Sequence, residues 1–168
     1  MSDVYRQGAF EPDGWRVLAA GEAVPVEGAV ILPVSRFLAE AGSLPAGVTV
    51  GVILAGSDKL EDLDGQFARI GLITIEFPKF ADGRGFSLAR LLRERYGYRG
   101  PVRAVGDVLL DLIPLMQRVG FTEFVVTHEP TRAALAAGQL PGLPYAYQPG
   151  WDGGAGPATG RPWHKKAI

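Results

Sequence analysis

The chain has 168 residues, 47% of them hydrophobic and 21% charged, with a formal net charge of −1. These values are typical of one soluble domain that buries about two thirds of its unfolded surface. The chain contains no cysteine, which excludes disulfides, thiolate catalysis, zinc–thiolate sites and cysteine-ligated iron–sulfur clusters. No apolar run approaches the roughly 20 residues of a membrane span, and the N-terminus has no signal-peptide pattern, so we expect a cytoplasmic protein.

After an N-terminal region of another type, the predicted elements repeat one unit, a strand followed by a helix. Residues 4–27 alternate loosely between apolar and polar types and predict a small N-terminal hairpin. Five short β-rich runs then alternate with helical segments. The runs lie at 29–34, 48–54, 72–77, 102–105 and 124–127, and the helices at 35–41, 59–69, from 87 onward, up to 119 and at 131–137.

This alternation predicts an α/β fold with a mainly parallel five-stranded sheet and helices on both faces. A half β/α-barrel is the alternative, because five consecutive units can also curl. We expect residues 1–147 to form a single domain. Residues 148–168 contain five glycines and three prolines without periodicity, and predict an extended or disordered tail.

Positive charge is concentrated in one segment of the chain. Between Lys79 and Arg103 lie seven of the 17 basic residues but two of the 18 acidic ones, so the segment carries +5 and the remainder −6. Such a patch suits a small anion or an acidic partner, and it is too short and too poor in aromatics to favour nucleic acid. Arg93, Arg95 and Arg99 are expected to point away from the site, and Arg103, at the far edge of the sheet, to pair with a carboxylate.

The candidate site is the turn that follows the third predicted strand. In parallel sheets ligands bind at the carboxyl ends of the strands, and this end carries a glycine-flanked arginine before a helix expected to start at Ser87. Glycines with positive φ and free N–H groups would approach an oxyanion, and arginines would supply charge. The alternative is a structural turn in which Asp82 pairs with Arg84. The candidate anion- or partner-binding residues are Asp82, Gly83, Arg84, Gly85, Ser87 and Arg90, with Lys79 and Arg36 as further cations.

Three residues at strand ends are candidate catalytic groups. Glu76, Asp107 and His128 could provide acid–base chemistry, although His128 more often caps a helix or bonds a loop carbonyl. Glu76, Asp82 and Asp107 could together hold Mg²⁺, but no further motif supports a metal site. Dinucleotide, phosphate-loop and serine-hydrolase motifs are absent from the sequence. The apolar segment 109–116 predicts a buried helix, or alternatively a self-association face that would make a homo-oligomer.

The sequence resembles the domain of unknown function 934 family, an uncharacterised bacterial family. The resemblance rests on residues 32–36, on the long stretch 77–93, and on residues 98–100 and 103–109. It covers roughly residues 30–128. Members are usually labelled as probable oxidoreductases involved in sulfite reduction, so the resemblance implies sulfur assimilation and a sulfite reductase subunit as a partner.

Three functions follow from these observations. The leading hypothesis is an accessory protein of assimilatory sulfite reduction that binds a sulfur oxyanion or an acidic patch of the reductase. The second is a small α/β enzyme acting on a phosphorylated or carboxylated metabolite. The third is a non-catalytic scaffold that docks through Trp151 and Trp163. The sequence names no cofactor: no NAD, FAD, siroheme or iron–sulfur motif is visible.

Overall fold

The computed structural model describes residues 3–79, 83–142 and 150–151. This part of the chain folds as an α/β structure with eight strands in one sheet. The predicted tail, residues 148–168, lies outside the described residues except for Gly150 and Trp151. The strands are β1 (Asp3–Arg6), β2 (Ala9–Pro12), β3 (Trp15–Val17), β4 (Glu27–Pro33), β5 (Gly47–Leu54), β6 (Leu72–Phe77), β7 (Val102–Gly106) and β8 (Glu123–Phe124).

Four α-helices connect the parallel strands or follow them. They are α1 (Val34–Glu40), α2 (Arg84–Glu94), α3 (Ile113–Val119) and α4 (Glu129–Ala136). The helix predicted at 59–69 is instead a pair of short 3₁₀ turns, Leu60–Leu63 and Phe67–Arg69. Within the described residues, none of the helices has the length and apolar character needed to cross a bilayer.

The strand order is β2-β1-β8-β7-β6-β5-β4-β3. Strands β3 to β8 are parallel and lie side by side in chain order, and the antiparallel hairpin β1–β2 extends the sheet beyond β8. Because parallel crossovers are right-handed, consecutive strands in chain order place their helices on the same face. The sheet therefore curls into a half-barrel with the helices outside.

The half β/α-barrel named as the alternative is confirmed, and the five-stranded sheet covered on both faces is not matched. The N-terminal region also differs from a simple hairpin, because β3 leaves the hairpin and pairs in parallel with β4. Helix periodicity and strand composition do not encode strand order. A sequence of alternating units is therefore compatible with either arrangement.

The main core lies between the sheet and the outer helices. Alternate strand residues such as Val52, Ile75 and Ala104 point outward into one cluster of buried side chains. Phe37 of α1 and Leu92 of α2 belong to the same cluster, as do side chains of α3 and α4. A strand residue between two core residues must therefore face the inside of the curl.

The inside of the curl is crossed by the N-terminal segment. Strands β2 and β3 form opposite edges of the sheet, yet only Asp13 and Gly14 separate them in sequence. Three Cα steps span at most about 11 Å, so the two edges approach closely where Pro12 leads to Trp15. The Trp15 indole lies against Gly51, where an added Cβ would come within 3.1 Å of the ring. This segment therefore fills the interior near the amino ends of the parallel strands.

A buried ion bridge fastens this segment to the sheet. The guanidinium of Arg103 on β7 donates to both carboxylate oxygens of Asp13, at 2.8 and 3.0 Å, and to Glu123 Oε2 on β8, at 3.0 and 2.8 Å. The three side chains are only 3–8% exposed. The prediction that Arg103 pairs with a carboxylate is confirmed, and one of its two partners lies 90 residues away in sequence.

A second buried guanidinium, that of Arg93 on α2, is held by carbonyl oxygens. It donates to the carbonyls of Tyr98 and Gly100, each at 2.7 Å, and to that of Gly120 at 3.1 and 2.6 Å. Burial lowers the pKa of Arg93 from its usual value. The Tyr98 hydroxyl donates to the Ile70 carbonyl at 3.2 Å, and burial raises the pKa of Tyr98 to about 12. These contacts join the carboxyl ends of α2 and α3 to the loop before β7.

We expect Arg103→Ala to lower the free energy of unfolding by about 3–5 kcal/mol, because it leaves two buried carboxylates without their counter-ion. Arg90→Ala is the control: its pair with Glu94 is 55% exposed on both sides, so its loss changes stability by less than about 1 kcal/mol. Urea unfolding of the three proteins measures both values. Equal stability of Arg103→Ala and wild type would contradict the bridge.

Alkaline pH is expected to destabilise the protein through Tyr98. Its pKa is about 10 in the unfolded chain and about 12 in the folded one, so its contribution is complete below pH 10 and is lost as pH rises through 12. Between these pH values the free energy of unfolding of the wild type should therefore fall by about 2–3 kcal/mol more than that of Tyr98→Phe. Denaturant unfolding across this range tests the difference, and parallel curves would refute it.

Candidate functional site

The predicted anion site lies between β6 and α2, at the carboxyl edge of the sheet. Strand β6 ends at Phe77, and α2 begins at Arg84. The expected helix start at Ser87 is wrong by three residues, because Gly83 occupies the N-cap position. Ser87 is therefore an exposed residue within the helix rather than its cap. Among the described residues, no side chain forms a capping hydrogen bond at this helix start.

The two glycines of this turn have different structural roles. Gly83 has φ −69° and ψ −8°, a helical conformation, and Gly85 lies inside α2, so the expected positive φ is wrong for both. A Cβ added at Gly85 would lie 2.5 Å from Phe77 Cζ and 3.1 Å from Ile75 Cγ2. Gly85 therefore allows α2 to approach β6 closely, whereas Gly83 has open space around its Cα.

The basic residues near the turn differ in their distance from the start of α2. Arg84 is exposed at the first position of α2, and Lys79 is exposed shortly after β6. Arg90 lies further along the helix and pairs with Glu94 at 2.9 Å. Asp82, which was predicted to orient Arg84, lies outside the described residues. The helix start, Lys79 and Arg84 therefore form the positive part of this site.

Arg36 is occupied elsewhere. Its guanidinium donates to Glu40 Oε1 at 2.8 Å and to the backbone carbonyls of Ala19 at 3.1 Å and Glu22 at 2.5 Å. These bonds attach the loop after β3 to α1. The same loop and helix line a cavity of about 580 Å³. The bonds of Arg36 give it a structural role in this cavity wall.

The candidate catalytic residues lie along the same edge. Glu76 is exposed at the penultimate position of β6, and half-buried Asp107 follows β7, with its N–H donating to the Phe77 carbonyl at 2.8 Å. His128 precedes α4, and its Nδ1 lies 2.9 Å from Thr131 Oγ1. His128 thus occupies the N-cap position, but its side chain makes no capping hydrogen bond and contacts the Thr131 hydroxyl rather than a loop carbonyl. Among the described residues, no three acidic or histidine side chains are grouped as a metal would need.

Two features of the interior could not be read from the sequence. Thr74 on β6 faces the inside of the curl, and its Oγ1 is the one buried side-chain polar atom without a hydrogen-bond partner among the described residues. A cavity of about 550 Å³ lies at the opposite, amino end of the strands, lined in part by Arg6, Arg99 and Glu123. The three residues lie on three different segments of the chain, so no local motif connects them.

Trp151 is in contact with the body of the chain. Its ring centre lies 4.3 Å from the Arg93 guanidinium carbon, and its backbone N–H donates to the Arg118 carbonyl at 2.9 Å. This residue was predicted to belong to a partner-docking tail. Trp163, the other tryptophan of that prediction, lies outside the described residues.

The fold and the site together define an α/β half-barrel protein with a candidate anion site at its carboxyl edge. A family model described as bacterial protein of unknown function (DUF934) matches residues 51–157. The chain belongs to this family, as its resemblance in sequence implied. A search of curated proteins found no match.

Replacing the glycines one at a time separates packing from ligand binding. Gly85→Ala should lower the free energy of unfolding by about 1–3 kcal/mol, because its Cβ would overlap the Phe77 ring. Gly83→Ala, where the Cβ meets open space, should cost less than about 1 kcal/mol. Chemical unfolding of both variants gives the comparison. A Gly85→Ala protein as stable as Gly83→Ala would refute the packing role.

Proposed function

We propose that this protein is an accessory protein of assimilatory sulfite reduction, which binds a sulfur oxyanion or an acidic patch of the reductase at the start of α2. The observation that carries the proposal is the cationic helix start at the carboxyl edge of the half-barrel. The pathway comes from the label carried by members of the family.

The helix start has the chemistry that an anion needs. The first N–H groups of an α-helix have no carbonyl partner within the helix, and the helix dipole adds a partial positive charge there. Gly83 contributes no side chain that would compete for these donors or cover them. An oxyanion placed here would accept backbone hydrogen bonds and lie near the charge of Arg84 and Lys79.

The position also suits a protein partner. Both Arg84 and Lys79 are exposed, and the start of α2 lies at the carboxyl edge of the sheet. Exposed cations contribute mainly to the rate and selectivity of association, and their contribution falls with salt. An acidic surface that brings a carboxylate to the helix start would use the same donors as a free oxyanion.

The oxyanion version is tested by thermal unfolding of wild type and Arg84→Ala in sulfite, sulfate, phosphate or chloride at equal ionic strength. A site filled at 100 times its dissociation constant stabilises the fold by about 2.7 kcal/mol. We expect sulfite to raise the Tm of wild type above that in chloride, and Arg84→Ala to lose most of this increase. Arg95→Ala, which removes an exposed arginine from the other end of α2, is the matched control.

The partner version is tested by titrating the protein against sulfite reductase. Arg84→Ala should weaken the complex while Arg95→Ala leaves it intact, and added salt should weaken the wild-type complex. Equal behaviour of all three proteins in both experiments would overturn the proposal.

A further inference from the structure

The second cavity, at the amino ends of the parallel strands, has the size and composition of a ligand site. It encloses about 550 Å³, within the range of small-molecule pockets, and lies at the end of the half-barrel away from the start of α2. Its lining residues come from β1, the β1–β2 turn, β2, the loop before β7 and the start of β8. The polar lining side chains are Arg6, Gln7, Glu11, Arg99, Thr122 and Glu123.

Two guanidinium groups of this cavity keep donors that no carboxylate satisfies. Arg6 uses Nε and Nη2 for Glu11, while its Nη1 lies 3.7 Å from Glu123 Oε1, which is beyond hydrogen-bond distance. Arg99 is exposed and forms no ion pair with the described residues; its guanidinium carbon lies 6.0 Å from the Trp151 ring. The cavity therefore offers planar N–H donors of the kind that bind oxyanions.

The charged side chains that line the cavity are balanced in number, Arg6 and Arg99 against Glu11 and Glu123. Behind the lining, Arg103 pairs with Asp13 and Glu123, and Arg93 donates to the carbonyl of the lining residue Gly100. The hydrogen bonds of Arg93 all go to carbonyl oxygens, its guanidinium also faces the Trp151 ring, and the charge of Arg99 adds to burial in lowering the pKa of Arg93. Among the described residues no carboxylate offsets the charge of Arg93, which favours an anion in the cavity.

One acceptor in the wall restricts which anion fits. Glu123 is almost fully buried, and its Oε2 accepts two hydrogen bonds from Arg103. Its Oε1 is left as an acceptor beside the cavity, with Arg6 at 3.7 Å as the nearby cation. A fully deprotonated oxyanion placed there would be repelled by the Glu123 carboxylate, because no proton would lie between the two acceptor oxygens. An oxyanion that keeps a proton can donate it to Oε1 while its other oxygens accept from the arginines.

We propose that this cavity binds a small oxyanion that carries a proton, of the hydrogenphosphate class, through Arg99 and Arg6 with Glu123 as the acceptor. The class includes inorganic phosphate and the phosphate group of a monoester. This site is separate from the start of α2 and does not depend on the function proposed there. Because Glu123 also belongs to the Arg103 bridge, a bound ligand would also stabilise the contact between the N-terminal segment and β7.

The test is calorimetric titration of the full chain at pH 6.5 and constant ionic strength, with inorganic phosphate, glycerol phosphate and sulfate as probes. We expect phosphate to bind at least tenfold more tightly than sulfate, since only phosphate keeps a proton at this pH. Glycerol phosphate binding more tightly than phosphate would identify a monoester as the ligand, and the reverse order the free ion. Sulfate binding as tightly as phosphate would overturn the role of Glu123, and no binding by either phosphate probe would overturn the site.

Single variants locate the binding. Arg99→Ala should weaken phosphate binding at least tenfold, whereas Arg95→Ala, which removes an exposed arginine outside the cavity, should leave it unchanged. An unchanged affinity in Arg99→Ala, or an equal loss in Arg95→Ala, would contradict the assignment. The Tm of each variant in chloride shows that it is folded, and neither exposed arginine belongs to the buried bridge. Arg99→Ala tests this cavity with phosphate and Arg84→Ala tests the start of α2 with sulfite, so the two proposals can fail separately.

Discussion

The bridge from Arg103 to Asp13 and Glu123 is the contact on which the form of this protein depends. It joins the segment between the two sheet edges to strands in the middle of the sheet, and its three side chains are almost fully buried inside the curl. Isolated buried charges are costly, but a guanidinium that satisfies two carboxylates in good geometry offsets much of that cost. The bridge also occupies the interior near the amino ends of the strands.

The N-terminal segment and the ion bridge fill the interior of the half-barrel and separate its two ends, which have different properties. At the carboxyl end the start of α2, Glu76 and Asp107 lie exposed or half-buried around the edge of the sheet. At the amino end, Glu123 of the ion bridge lines a cavity that also contains guanidinium groups outside the bridge. Each end thus has its own candidate ligand chemistry, and the unsatisfied hydroxyl of Thr74 lies inside the curl next to Arg103 in strand register.

Much of the secondary structure was predictable because its causes are local. Strand β6 was predicted at its observed bounds, since an apolar β-rich run between glycine and proline has few alternatives. The start of α2 was not, because Ser87 is a good N-cap in isolation while Gly85 must lie inside the helix to pack against Phe77. The roles of Arg36 and His128 were likewise decided by neighbours, such as the carbonyl of Ala19, that pattern analysis could not place.

The amino-acid sequence by itself determined the alternating β and α units, the clustering of basic residues between Lys79 and Arg103, and the family to which the chain belongs. These properties depend on residue types and their spacing over short distances. Only the tertiary structure decided that the sheet curls in chain order, that Asp13 reaches Arg103, and that Arg6, Arg99 and Glu123 line one cavity. Such contacts join residues far apart in the chain, and they form because side chains must fill and neutralise an interior that no local segment specifies.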